Sequence, residues 1–374
     1  MTTPLAGLHM LDLSRQLPGP FCSTMLADLG MDVLVIANPT DPFGTGIPFL
    51  GRNKRSMKLN LKATAGREIF LRLADEADVV LEGFRPGVTQ RLGVDYAALS
   101  ARNPRLIYCA ISGYGQDGPY RDKVGHDVNY LGYAGVLNFI GTADNPPVIP
   151  GVQIADIGAG SLMAAIGILA AVIARQQTGR GQFVDIAMLD GAVTWNVYNI
   201  LLHALGQDPQ RGRVQLTGWY PCYAIYETRD GRYVTVGAYE RHFWATLCEQ
   251  LGRPDFIEQQ WAEGEQREVM FAFFRSAFRS KTLAEWMTEL GDKDICFGPV
   301  NHVDDVYADP QLRHRGMVIG EGGTRTVASP IRLSDTPASL RTPPPTFGEH
   351  TEEVLHSLGF GAAEIGRLQA DGVV

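Results

Sequence analysis

A histidine and two carboxylates are the residues of this chain whose types and placing best suit acid–base chemistry. The stretch KVGHDVNYLGYAGVL, residues 123–137, sets His126 and Asp127 directly ahead of an apolar run of small residues. Further along, GVQIADIGAGS sets Asp156 ahead of a second apolar run. Histidine trades protons near neutral pH, and the start of a helix favours an ionised carboxylate. His126 therefore suits proton transfer, and Asp156 suits a nucleophile or a base.

Each of these residues also has an ordinary structural interpretation. A lone histidine is usually structural or exposed, and Asp156 stands where it could simply cap the following helix. Glu240 ends the strand-like segment VTVGAYE, where glutamates are usually solvated. Chemistry at His126 is favoured by the glycine-rich loop before it and the apolar segment after it, because partial burial can hold its pKa near neutrality.

Positive charge is concentrated in one short stretch of a chain whose net charge is −8. The segment GRNKRSMKLNLK, residues 51–62, contains Arg52, Lys54, Arg55, Lys58 and Lys62. The segment GFRPGVTQR adds Arg85 and Arg91 just after a predicted strand, where open α/β sheets bind ligands. Either a solvated surface or an anion site explains this pattern. The standard glycine loops for nucleotides, GxxxxGK[ST] and a strand-linked GxGxxG, are not found.

Strands and helices must position these residues, and the first half of the chain alternates between them. Apolar runs predict strands at 8–14, 31–37, 78–83, 105–112 and 183–189. Helical spacing predicts helices at 20–30, 65–77, 157–174 and about 190–205. This alternation predicts an α/β fold with parallel strands and helices on both faces of the sheet.

The pattern of predicted strands and helices changes after the polar segment GQDPQRGR, residues 206–213. Two strand-like runs, CYAIYET and YVTVGAYE, flank an Asp230-Gly231 turn and predict a β-hairpin. Helices are predicted after it at about 241–252, 266–280 and 282–291. This block, at about 220–320, is expected to form a small α+β domain.

Bulk properties narrow the class of protein. A length of 374 residues suggests two domains, and the negative charge argues against nucleic-acid or anionic-membrane binding. The five cysteines are scattered without CxxC spacing, which predicts neither a disulfide framework nor a metal site and fits a reducing, cytoplasmic setting. No secretory signal is visible, and the apolar run 157–174 is expected to be a buried helix rather than a membrane span.

Several long blocks of the chain resemble the family III coenzyme A transferases, the CaiB/BaiF superfamily. The blocks are PLAGLHMLDLSRQLPGPFCSTMLADLGMDV, GRNKRSMKLNLK, NPRLIYCAISGYGQDGPY and TGRGQFVDIAMLDGAV. Within that family, GHDVNY is similar to a motif of the α-methylacyl-CoA racemases. The transferases usually lack a histidine at the position of His126, whereas their nucleophilic aspartate aligns with Asp156.

The resemblance implies a Rossmann-like large domain, a smaller α+β domain, and an interlocked homodimer in which each chain is threaded through the other. The expected large domain covers 1–205 plus 330–374, the small domain covers 220–320, and linkers cover 206–219 and 321–345. Glu240, from the small domain of the partner subunit, is then expected to lie beside His126.

The resemblance also implies a reaction: inversion of the α-carbon of 2-methyl-branched acyl-CoA thioesters, with His126, Asp156 and Glu240 as catalytic residues. The alternatives are coenzyme A transfer between an acyl-CoA and a carboxylic acid through Asp156, and a catalytically silent acyl-CoA binder. No separate cofactor is expected, because coenzyme A is carried as part of the substrate. The expected coenzyme A contacts are Arg52, Leu59, Asn60, Leu61, Lys62, Arg85, Arg91, Gly125, Asp127 and Tyr130.

One position departs from the pattern of the racemases. They commonly carry an arginine after the second strand that helps to hold coenzyme A, and this chain has Asn38 there. The 3′-phosphoadenosine is therefore expected to be held in another way. Backbone N–H groups around Asp127 are expected to stabilise the enolate oxygen.

Overall fold

The computed structural model describes residues 3–41, 48–320, 322 and 325–374. Residues 1, 2 and 42–47 of the predicted large domain, and residues 321, 323 and 324 of the second predicted linker, lie outside this description. The chain divides into two compact units, which are described separately below. The first unit comprises Met1–Val136, Pro150–Val197 and Gly316–Val374, and the second comprises Leu137–Ile149 and Tyr198–Arg315. The segments 137–149 and 198–205, expected in the large domain, thus pack with the second unit.

The regular elements are numbered here in chain order. The strands are β1 (His9–Asp12), β2 (Asp32–Ala37), β3 (Lys54–Lys58), β4 (Val79–Glu82), β5 (Ile107–Ser112), β6 (Phe183–Ala187), β7 (Tyr223–Glu227), β8 (Tyr233–Gly237), β9 (Phe297–Pro299), β10 (Val318–Ile319) and β11 (Thr326–Val327). The α-helices are α1 (Pro18–Asp28), α2 (Thr64–Glu76), α3 (Val88–Leu92), α4 (Tyr96–Arg102), α5 (Asp127–Tyr133), α6 (Leu162–Thr178), α7 (Met188–Trp195), α8 (Val197–Ala204), α9 (Arg241–Gln250), α10 (Gly264–Phe278), α11 (Leu283–Leu290), α12 (Val303–Ala308), α13 (Pro310–His314), α14 (Thr351–Ser357) and α15 (Ala362–Ala370).

The first unit is built on a six-stranded sheet in the order β3-β2-β1-β4-β5-β6, and every neighbouring pair is parallel. Strands β4 and β5 are buried along their whole length, as expected for parallel strands covered by helices on both faces. The predicted parallel α/β sheet is confirmed. The strand order reverses direction between β1 and β4, which is where open α/β sheets usually bind their ligands.

Two sequence predictions for the first unit were wrong. The edge strand β3 was not predicted, because its sequence KRSMK has too little apolar character to indicate a buried strand. The single helix expected at about 190–205 is two helices, α7 and α8, which are separated by Asn196. The side chain of Asn196 is buried and donates a hydrogen bond to the carbonyl of Ala134 at 3.1 Å.

The apolar helix expected at 157–174 is longer than predicted, and its hydrogen-bonding pattern changes from π-helical to α-helical along its length. Residues Ile154–Ser161 form a π-helical segment, and α6 continues from it to Thr178. Such i→i+5 segments are rare and often occur at functional sites. The combined helix is long and apolar enough to cross a bilayer, yet half of its most apolar window is buried inside the structure. Core helices of folded domains have the same property.

The second unit packs helices against an antiparallel sheet in the order β7-β8-β9. The predicted hairpin is present as β7 and β8, with Gly231 at a φ of 71° in its turn. Helices α9, α10 and α11 lie close to their predicted positions. Its core includes the fully buried side chains of Tyr226, Trp244, Phe274 and Phe278. Glu240 immediately precedes α9 and is exposed.

Two cations of the predicted basic cluster are internal ion-pair partners rather than an anion site. Arg52 is 5% exposed, and its guanidinium contacts the carboxylate of Asp28 at 2.7 to 3.2 Å. The ammonium of Lys54 is equally buried, donates to Ser23 Oγ at 2.7 Å, and lies 3.9 Å from the Asp12 carboxylate. Burial lowers the pKa of Lys54 to about 8, although Asp12 opposes this shift. The contact of Arg52 with coenzyme A stays a prediction, and its burial and its pair with Asp28 do not favour it.

Replacing Arg52 by alanine should destabilise the first unit. Asp28 would keep its buried charge without its ionic partner, and breaking a buried pair in this way costs about 3–5 kcal/mol. Arg55, on the same edge of the sheet, forms a pair with Asp32 that is more than a third exposed. We therefore expect Arg55→Ala to cost about 0–1 kcal/mol. Denaturant unfolding of both variants measures the difference. An Arg52→Ala protein as stable as Arg55→Ala, changed only in ligand binding, would contradict this account.

Candidate active site

A cavity of about 720 Å³ opens in the first unit at the carboxyl ends of the central strands. Loops that follow β1, β4 and β5 form its walls, which places it at the reversal of strand order. His126 lines this cavity, together with the predicted contacts Arg85, Gly125 and Tyr130. The structure thus gathers residues that are far apart in the sequence around one opening.

His126 is held at the cavity by its own backbone and by the loop before it. It is exposed and immediately precedes α5, with its N–H bonded to Asn129 Oδ1 at 3.0 Å. The hydroxyl of Tyr130 donates to the carbonyl of Gly125 at 2.6 Å. A Cβ atom on Gly125 would lie 2.8 Å from the Tyr130 ring and 2.9 Å from the Tyr114 hydroxyl. Only glycine therefore fits at this position.

The side chain of Asp127 connects the two predicted catalytic residues. Its Oδ1 atom accepts hydrogen bonds from the backbone N–H groups of Ala155 at 2.7 Å and Asp156 at 2.9 Å. N–H groups at a helix start lack partners within the helix, and this carboxylate satisfies two of them. The alternative interpretation of Asp156 as a helix cap is not supported, because the Asp127 side chain supplies the cap. The same contact brings Asp156 close to His126, the residue that precedes Asp127.

The environment of Asp156 stabilises the protonated form of its carboxyl more strongly than the environment of an ordinary aspartate does. Burial is the main cause, the nearby charge of Asp127 adds to it, and His126 acts in the opposite direction. Together they raise the pKa of Asp156 to about 6. The helix-start effect that favours ionisation is therefore outweighed by burial. A carboxyl with this pKa can serve as either acid or base near neutral pH.

The cavity is strongly cationic. Besides Arg85, its wall contains Arg15, Arg121 and Lys123, none of which was identified from the sequence. The Lys123 ammonium contacts the Tyr133 hydroxyl at 2.8 Å. Arg121 and Lys123 belong to the segment YRDKVGHD. Their closeness to His126 in the sequence could have identified them as candidate residues of the site.

The loop that follows β2 carries Asn38 in place of the expected arginine. The Asn38 side chain accepts hydrogen bonds from the N–H and the hydroxyl of Thr40 at 3.2 and 3.1 Å, so it is committed to the loop itself. The guanidinium of Arg15, from the loop after β1, nevertheless contacts Asp41 of this loop at 3.1 Å.

The remaining predicted contacts with coenzyme A differ in their access to a ligand. Residues 59–62 follow β3 and so lie along the same carboxyl edge of the sheet as the cavity. The Leu59 side chain is 1% exposed and packs in the core, together with the half-buried Leu61. Asn60 Oδ1 accepts from the N–H of Lys62 at 3.1 Å, and Lys62 is exposed. The backbone of this segment and Lys62 are the groups that could meet a ligand.

Most of the other predicted residues, including Asp127 and Asp156, are not among the residues that line the cavity. Arg91 is exposed on α3, which follows the loop that carries Arg85. Glu240 belongs to the second unit, and its expected contact with His126 of another subunit stays a prediction.

Comparison with known proteins identifies the family. A family model described as CoA-transferase family III matches residues 5–351. The chain belongs to this family. The resemblance inferred from the sequence blocks is thereby confirmed.

Members with two different activities are similar to this family III chain. A human alpha-methylacyl-CoA racemase is 35% identical, with 99% of this chain and 97% of the relative covered. A human succinyl-CoA:glutarate CoA-transferase is 31% identical, with 99% and 90% covered. A crystal structure of a CAIB/BAIF family protein from Brucella suis matches with a TM-score of 0.84 and 32% identity, covering 96% of this chain and 100% of that chain. The reaction must therefore be inferred from the residues of the site.

Replacing Asp127 by asparagine should lower the pKa of Asp156. The asparagine keeps an oxygen that can accept the two backbone N–H bonds, but it removes the negative charge beside Asp156. Because a like charge disfavours ionisation, its removal should move the pKa of Asp156 below about 6. An NMR titration of the Asp156 carboxyl carbon measures this shift directly.

Asp122→Asn provides the matched control, because Asp122 is an exposed carboxylate of the same loop. We expect it to leave the titration of Asp156 unchanged. A pKa for Asp156 in Asp127→Asn that equals or exceeds the wild-type value would show that the two carboxylates do not interact.

Proposed function

We propose that this family III protein inverts the α-carbon of 2-methyl-branched acyl-CoA thioesters. The observation that carries the proposal is a carboxyl of raised pKa, that of Asp156, close to an imidazole that lines the cavity. His126 lines the cavity. The hydrogen bond from the N–H of Asp156 to the Asp127 carboxylate holds Asp156 near this histidine. A coenzyme A transfer through Asp156 alone has no evident need for that imidazole.

The chemistry needs one proton acceptor and one proton donor on opposite faces of a planar enolate. In one direction, neutral His126 removes the α-proton, and protonated Asp156 delivers its proton to the other face. After this turnover His126 is protonated and Asp156 is ionised. In the reverse direction Asp156 removes the α-proton and His126 delivers one, which restores the starting protonation state of both residues. Each positioned proton transfer typically contributes 10²–10⁴ in rate, or about 3–5 kcal/mol.

Other residues would hold the substrate while the protons move. The backbone N–H groups at the start of α5 are candidates to stabilise the enolate oxygen. The cations of the cavity would bind the phosphates of coenzyme A, which enters as part of the substrate. Glu240 of the partner subunit would hold the imidazole of His126 and raise its basicity.

Coenzyme A transfer is the second candidate, and the similarity to a succinyl-CoA:glutarate CoA-transferase favours it. Ionised Asp156 would attack the thioester carbonyl, forming an acyl anhydride and releasing the coenzyme A thiolate. The thiolate would attack the Asp156 carbonyl of the anhydride, releasing the donor carboxylate and leaving a thioester of Asp156 with coenzyme A. The acceptor carboxylate would attack that thioester to form a second anhydride and release the thiolate, which would attack the acceptor's carbonyl to give the new acyl-CoA and free Asp156. This route requires Asp156 to be ionised and needs no α-proton transfer.

Incubation of a single-enantiomer 2-methylacyl-CoA in D₂O distinguishes the two reactions. We expect α-deuterium incorporation together with loss of optical purity, because both faces of the enolate meet a proton donor. Mass spectrometry and chiral chromatography of the acyl group provide the two readouts. Movement of coenzyme A to an added carboxylic acid, without exchange, would support the transferase instead.

His126→Ala should separate inversion from exchange. One face of the enolate loses its base, so we expect racemisation to fall at least about 10²-fold. Any exchange that remains should occur with one enantiomer and with retention, through Asp156. The control is Asp75→Asn, at an exposed carboxylate of the same unit that pairs with Arg102, and it should keep wild-type rates. Racemisation of His126→Ala at near wild-type rates would refute the assignment.

The interlocked homodimer can be tested by mixing two inactive variants. If His126 works with Glu240 of the partner subunit, a mixed dimer of His126→Ala and Glu240→Gln contains one site with both native residues. Activity should then return in the mixed dimer to about half the wild-type value, whereas each parent stays low. Absence of recovery in purified mixed dimers would show that the two residues do not share a site between subunits.

A further inference from the structure

Three arginines surround the turn after β4, and they are poorly neutralised. Arg85 and Arg91 have neither an ion pair nor a side-chain hydrogen bond to any residue that the structure describes. Arg121 has one ionic partner, Asp122, whose side chain is 83% exposed. The described wall of the cavity contains no carboxylate. Positive charge therefore accumulates here with little internal counter-charge.

Gly87 shows how closely two of these guanidinium groups approach. A Cβ atom built on Gly87 would lie 3.4 Å from Arg121 Nη2 and 3.4 Å from Arg91 Nη1. Gly87 has a φ of 86°, so the turn itself also favours glycine. The end groups of Arg91 and Arg121 thus converge on the same small space.

The hydrogen bonds of Arg121 fix which of its nitrogens faces that space. Nε donates to the carbonyl of Gln116 at 2.9 Å, and Nη1 donates to Asp122 at 2.9 Å. Nη2 remains as the group directed towards Gly87 and Arg91. Two guanidinium groups held together repel each other unless an anion lies between them, and phosphoryl oxygens match their geometry.

We propose that Arg121 is a substrate-binding residue that, with Arg91, holds a phosphoryl group of coenzyme A. The inference rests on the part of the proposed function that makes a coenzyme A thioester the substrate, and it is independent of whether the reaction is racemisation or transfer. Either the 3′-phosphate or the diphosphate can supply the phosphoryl group.

Titration calorimetry with free coenzyme A tests the proposal without any assay of turnover. We expect Arg121→Gln to raise the Kd about tenfold, since one charge-assisted contact with a phosphate is lost. Arg91→Gln should do the same, and the double variant should lose less than the product of the two single losses, because both residues hold one group. Arg102→Gln is the control, because Arg102 is an exposed arginine of the same unit that pairs with Asp75.

Two truncated ligands identify the phosphoryl group and exclude a purely structural role. If the site holds the 3′-phosphate, Arg121→Gln and wild type should bind dephospho-CoA equally. If it holds the diphosphate, the tenfold difference should persist with dephospho-CoA. An acyl-pantetheine thioester without phosphates should show the same KM and kcat in both proteins.

Two results would overturn the proposal. In the first, coenzyme A binds Arg121→Gln within twofold of wild type. In the second, Arg121→Gln loses as much kcat/KM with acyl-pantetheine as with acyl-CoA, which would assign Arg121 to ordering the loop at Gln116. A protein that neither racemises nor exchanges but shows the tenfold change in Kd would refute the racemase proposal alone.

Discussion

The hydrogen bonds from the Asp127 carboxylate to the N–H groups of Ala155 and Asp156 are the contact on which the site depends. They join the start of α5 to the start of the π-helical segment, two places that are far apart in the chain. Since His126 adjoins Asp127, the same bonds hold Asp156 close to His126, which lines the cavity. The negative charge of Asp127 also contributes to the raised pKa of Asp156. One side chain thus influences both the geometry and the protonation of the pair.

The charges of this unit fall into two groups with different uses. Two pairs are buried: Arg52, just before β3, pairs with Asp28 of α1, and Lys54 of β3 pairs with Asp12 of β1. Arg85 and Arg121 line the cavity, and Arg91 lies near Arg121 at Gly87, all with little internal neutralisation, so an anionic ligand gains the most from them. A net charge of −8 for the whole chain is compatible with a locally cationic site of this kind.

The sequence predicted features that depend on local pattern. Apolar runs predicted the central parallel strands, and the Asp230-Gly231 signal predicted the hairpin. It could not reveal that Arg52 meets Asp28, 24 positions away, because composition does not specify the partner of a charge. The role of Asp127 was missed for the same reason: its partners are 28 and 29 positions away. Asp156 was expected at a helix start, but the balance between burial and the helix dipole required coordinates.

The central claim is that His126 and Asp156 exchange protons with opposite faces of one α-carbon. The most direct measurement is a crystal structure of the Asp156→Asn protein with a 2-methylacyl-CoA bound. The account predicts that the imidazole of His126 and the amide at position 156 lie on opposite sides of the α-carbon, each about 3–3.5 Å from it. An α-carbon in contact with the side chain at position 156 alone, with the imidazole outside that cavity, would contradict the account.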